Sequence, residues 1–170
     1  MARRWRQLME DEVDRLVAGW RRALPDADLT PLEVLSRVGR LARHLDRQRG
    51  AVFARHDLET WTFDVLSALR RADPPHELSP GQLLAQTLVT SGTMTNRIDR
   101  LEERGLVRRR ADPSDARSVR VQLTAAGRRS ADAALRDLVV REDAILGILD
   151  AGERATLAGL LRRVLAPFDG

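Results

Sequence analysis

Residues 91–129 carry 10 Arg and 5 acids, residues 1–90 carry 14 Arg and 13 acids, and residues 130–170 carry 5 Arg and 7 acids. The excess positive charge is therefore confined to the middle of the chain. A cationic patch between near-neutral arms suits a polyanion, nucleic acid first of all. Within it, Met94, Ile98 and Leu101 recur with a helical period. At about 100° per residue they fall within about 60° of one another and form a narrow apolar stripe. Thr93, Arg97, Arg100 and Arg104 form a second stripe roughly 90° away. Ser91, Gly92, Thr93, Thr95, Asn96 and Arg100 are then placed to enter a major groove. Asn suits adenine, Arg suits guanine, hydroxyls suit phosphates, and the helix N-terminus itself favours a phosphate.

The period changes after Gly105. Leu106-Val107-Arg108-Arg109-Arg110 reads as a strand and residues 111–117 as a turn; Val119, Val121 and Leu123 alternate with Arg120 and Gln122 as a half-buried return strand. Arg110 lies on this hairpin, and Arg117 stands beside Asp115 near its tip. A wing Arg can reach the adjacent minor groove, and a nearby Asp can hold its guanidinium in place.

These residues need a scaffold. Leu8, Val13, Leu16, Val17 and Trp20 predict a first amphipathic helix that stops near Pro25. Thr30-Pro31 opens a second of about 25 residues, with Thr30 as N-cap. A third spans 59–72 before Pro74-Pro75, and a short fourth runs from Ser79-Pro80 to about Gln86. The groove-reading helix is capped by Thr90 or Ser91 and stopped by Gly105. Thr124 caps the next helix, and Gly152 sits in the break before a last one. The expected fold is mainly α with a small β-hairpin wing (α+β), a winged helix-turn-helix between N- and C-terminal helices.

Composition excludes much else. There is no Cys, no Tyr and no Lys, so all 29 cations are Arg. Disulfides, thiolate metal sites, cysteine nucleophiles, Schiff-base chemistry and a P-loop lysine are out. His44, His56 and His76 lack metal-ligand spacing, and no cofactor loop is present, so neither metal nor cofactor is expected. No apolar run is long enough for a membrane span and no secretory signal is visible, which points to the cytoplasm. The expectation is a non-enzymatic DNA binder. A winged helix that docks on proteins without binding DNA is the alternative, and the salt dependence of DNA binding separates the two.

The segment Thr90-Ser91-Gly92-Thr93-Met94-Thr95-Asn96-Arg97-Ile98-Asp99-Arg100-Leu101-Glu102-Glu103-Arg104-Gly105-Leu106-Val107 resembles the recognition helix of the MarR family of bacterial transcription regulators. Asp112-Pro113-Ser114-Asp115-Ala116-Arg117 is similar to that family's wing, and Leu123-Thr124-Ala125-Ala126-Gly127 to its hairpin-to-helix junction. The resemblance implies a homodimer joined through its end helices, repressing a neighbouring gene and released by a small-molecule effector. It divides the chain into N-terminal helices (1–57: dimerisation and part of a ligand pocket), a winged domain (58–124) and C-terminal dimerisation helices (125–170). Trp20-Arg21-Arg22, Phe63-Asp64-Val65-Leu66 and Leu69-Arg70-Arg71 resemble the urate-responsive subgroup, whose ligand site maps onto Trp20, Asp64, Arg71, Arg97 and Arg109, with Arg108 as the alternative to Arg109. Seven residues apart, Asp64 and Arg71 share one side of a helix at roughly 10 Å, too far for a direct ion pair but able to clamp a third group.

Overall fold

The computed structural model describes residues 10–87, 91–112 and 115–168, with backbone alone at 91–92 and 115–117. The chain forms two compact units, Met1–Ala51 and Val52–Gly170.

In the N-terminal unit, α1 spans Glu12–Ala23 and α2 begins at Thr30. α1 starts at a capping box: Asp11 accepts from the backbone N–H groups of Val13 and Asp14, and Asp14 accepts from that of Asp11. Arg37 of α2 bridges Asp11 at 2.8 Å and Asp14 at 2.7 Å, and it holds the Asp11 carboxyl below its ordinary pKa. Val13 and Val17 are buried. Thr30 is the first residue of α2 and not its N-cap, and its N–H donates to Asp28 Oδ1 at 3.0 Å.

α2 (Thr30–Ala54) continues through Gly50 and delivers Val52 and Phe53 to the C-terminal unit. There follow α3 (Thr60–Arg71), β1 (Glu77–Leu78), α4 (Pro80–Thr87), α5 (Ser91–Glu103), β2 (Val107–Asp112), β3 (Asp115–Leu123), α6 (Ala125–Leu146), α7 (Ala151–Leu165) and a 3₁₀ turn over Ala166–Phe168. The sheet is antiparallel, in the order β1-β3-β2. Phe53 stacks on Phe63 at 4.2 Å between ring centres. Around them Val65, Leu66 and Leu69 of α3, Leu83 of α4, Val107 and Val121 of the sheet, and Ala134 of α6 close one core. The expected stripe of Met94, Ile98 and Leu101 lies in this core, each residue at most 1% exposed.

Three further points of the sequence reading are corrected. β1 was not foreseen; its two residues pair with Val121 and Gln122. The stretch read as a turn over 111–117 belongs largely to the strands, with a register irregularity at Ala111/Asp112. Gly152 lies in the first turn of α7, whose N-cap is Asp150.

Candidate nucleic-acid interface

Burial of Met94, Ile98 and Leu101 fixes the rotation of α5 and leaves Thr93, Thr95, Asn96 and Arg100 exposed. Ser91 and Gly92 open the helix, whose N-terminal end carries the positive pole of its dipole and favours an anion. The proposed Thr90 cap lies outside the described residues. Gly105, at φ +66°, ends the segment in the left-handed region, and the Leu106 N–H returns to the Leu101 carbonyl.

The hairpin is cross-braced. Gln122, only 6% exposed, takes Arg108 Nε at 2.9 Å and faces Arg110 at 3.5 Å, while its own amide donates to the Pro75 carbonyl. Arg120 Nε bonds Asp112 at 2.5 Å. Arg110 remains exposed on β2. Asp115 and Arg117 open β3; their side chains lie outside the described residues.

Arg109 ties the wing to α5. Its backbone N–H donates to Glu102 Oε1 at 2.8 Å, its guanidinium meets Glu102 Oε2 at 2.5 Å, and it also pairs with Asp99. The backbone bond is the main cause that holds the Glu102 carboxyl below its usual value; the guanidinium adds to it against a desolvation penalty. Arg108, the alternative ligand position, belongs instead to the Gln122 brace.

The remaining candidate effector residues are dispersed among elements. Trp20 is on α1, 47% exposed. Asp64 and Arg71 are exposed on α3. Arg97 lies over the Trp61 ring, 5.2 Å from its centre. Trp61 and its neighbour Glu59 were missed by sequence reasoning. Their partners on α5 are about forty positions away, as the 41-residue separation of Glu59 and Arg100 illustrates, and no local period signals such a contact.

A short α4, a rotationally fixed α5 and a basic two-stranded hairpin define a winged helix-turn-helix protein. Residues 56–118 match the sequence profile of the MarR family. The transcriptional regulator PecS of Dickeya dadantii is 35% identical over 90% of this chain and 92% of its own. A mutant MarR from E. coli complexed with operator DNA is 30% identical over 82% of this chain and 99% of its own, with a TM-score of 0.65. BpsR of Bordetella bronchiseptica, whose DNA binding is regulated by 6-hydroxynicotinic acid, is 29% identical over 75% of this chain and 91% of its own, with a TM-score of 0.59. The chain belongs to the MarR family and is a DNA-binding transcriptional regulator. No helix among the described residues is long and apolar enough to cross a membrane.

Proposed function

We propose that the protein binds a pseudo-palindromic operator as a homodimer, silences the adjoining gene, and is released by a small planar acid. The observation that carries this is α5: one side is sunk in the core, Thr93, Thr95 and Asn96 are exposed, and its end runs into a cationic hairpin. The operator complex of the E. coli relative supports the DNA reading, and BpsR supports a heteroaromatic acid as effector. In this reading residues 1–57 and 125–170 join the two copies, residues 58–124 read DNA, no reaction is catalysed, and the site of action is the cytoplasm.

The test is selection of duplexes from a random pool by the full chain, followed by binding titrations across a salt series. Log affinity should fall linearly with log salt as counterions are released. If no sequence is enriched and salt has no effect, the protein-docking alternative holds instead. Arg100→Ala should cost about 1–3 kcal/mol and relax preference at one base position. Arg117→Ala should weaken all duplexes alike and flatten the salt slope by about one unit.

For the effector, Trp20, Asp64, Arg71, Arg97 and Arg109 are the candidate contacts. Trp20 would stack on a planar ring and the arginines would meet its carboxylate. An anion that draws Arg109 from Asp99 and Glu102 would loosen α5 from β2, which gives the ligand the differential affinity that release requires. A preference of about 100-fold for the released form shifts the equilibrium by about 2.7 kcal/mol. With 6-hydroxynicotinic acid and urate as probes, Trp20→Leu, which removes the stacking ring, and Asp64→Asn should bind DNA normally and respond poorly. A wild-type response in both variants places the effector elsewhere.

A further inference from the structure

The arginine stripe of α5 meets a row of partners from the segment that leads into α3. Arg104 Nη2 donates to the Asp57 carbonyl at 2.5 Å and to its carboxylate at 3.0 Å. Arg100 Nη2 donates to Glu59 Oε1 at 2.7 Å. The guanidinium carbons of Arg97 and Arg100 lie 5.2 and 5.0 Å from the centre of the Trp61 ring, and the Trp61 indole N–H donates to Glu59. Residues 57, 59 and 61 thus alternate along one stretch of chain and meet Arg97 and Arg100 of α5 and Arg104 just beyond its end.

We propose that Glu59 and Trp61 are positioning residues that set the sequence discrimination of α5 by holding Arg100 in one orientation. This rests on the operator-binding reading above. Arg100 and Glu59 are each 53% exposed, so the pair is screened and adds little to stability. Its effect is on geometry. A cation–π contact engages the charge of the guanidinium without consuming its N–H donors in hydrogen bonds. Of the five N–H donors of Arg100, Glu59 takes one. The others stay available for the paired contacts by which an arginine reads a guanine edge. An arginine already fixed loses less rotamer freedom when it reads a base. Glu59 also repels a phosphate backbone wherever Arg100 has no base to engage, so it penalises the wrong duplex more than the right one.

The experiment compares affinity for a duplex enriched by the wild-type chain with affinity for a scrambled duplex of the same composition. Trp61→Leu should lower the ratio about ten-fold with an unchanged salt slope, whereas Trp61→Phe, which keeps a ring face, should stay within about three-fold of wild type. Glu59→Gln should lower the ratio mainly by binding the scrambled duplex more tightly. Glu59 is exposed, so this variant tests the proposal even if Trp61→Leu fails to fold. An unchanged ratio in Glu59→Gln, or equal loss on both duplexes in Trp61→Leu, overturns the proposal. Failure of the wild-type chain to enrich any duplex overturns the operator reading and this inference with it.

Discussion

Arg109 gathers two carboxylates of the recognition helix onto the first wing strand, and this makes the α5–β2 link sensitive to acid. Glu102 has a carboxyl pKa held below its ordinary 4.5, so its contribution is complete above that value and is lost as pH falls through the lowered one. The urea midpoint of the wild type should therefore drop more between pH 5 and pH 3 than that of Glu102→Gln, and the gap between them should close at the acid end. Parallel midpoints across that range would mean that Glu102 does not carry the link. At this scale the sequence displayed donors better than partners. The burial of Met94, Ile98 and Leu101 followed from their angular spacing, and the arginine stripe was visible beside them. What occupies that stripe was not visible, because Asp57, Glu59 and Trp61 reach it only through side-chain contacts made across the tertiary fold. Gln122 was equally silent: it sits at a polar position of an alternating strand, yet is buried between two arginines and the Pro75 carbonyl.

The junction of sheet and helix shows how an element boundary is set by close approach. Thr124 caps α6 by accepting from the Gly127 N–H at 3.0 Å, and its hydroxyl donates toward the Gly105 and Leu106 carbonyls. A methyl group on Gly127 would stand 2.0 Å from the Leu106 carbonyl oxygen, which is backbone and cannot turn aside. Gly127→Ala should thus be severely destabilising and move α6 off β2, whereas Thr124→Ala should cost about 1 kcal/mol, as the loss of a helix cap usually does. Thermal denaturation of both variants measures the contrast; a Gly127→Ala variant as stable as the wild type would refute the close approach. The sequence announced this boundary through Thr124 and the helical period after it. It announced the wing less well. β1 has two residues, too few for any period, and it exists only because the Leu123 N–H bonds the His76 carbonyl and the chain beyond pairs along β3. The extra length of β2 and β3 was hidden by Asp and Ala, residues of low strand propensity that the ladder overrides.

At the scale of the whole molecule, apolar surface is unevenly covered. In the C-terminal unit α7 buries none of its residues, and Leu157, Leu160, Val164 and Leu165 are exposed together with Val139 and Val140 of α6 and Ile148. Leu16, Leu24, Val34, Leu35, Val38 and Leu41 are exposed in the N-terminal unit. Surface of this kind on end helices calls for a second copy, and twofold symmetry is the simplest closure. The melting temperature should rise with protein concentration, and Leu160→Glu should abolish that dependence and halve the mass in light scattering. A wild-type mass near the 19.1 kDa of one chain at micromolar concentration would refute the dimer. The junction at Thr124 also has a mechanical consequence. Only that residue separates the hairpin from α6, whose 22 residues extend roughly 33 Å. The wing and this helix form a long lever with a stiff elbow, so a tilt of about 5° at the elbow sweeps the far end through roughly 3 Å. Gripping the far end therefore holds the wing's aim closely: a slip of roughly 3 Å in that grip turns the wing by only about 5°, without any bond in the elbow being broken.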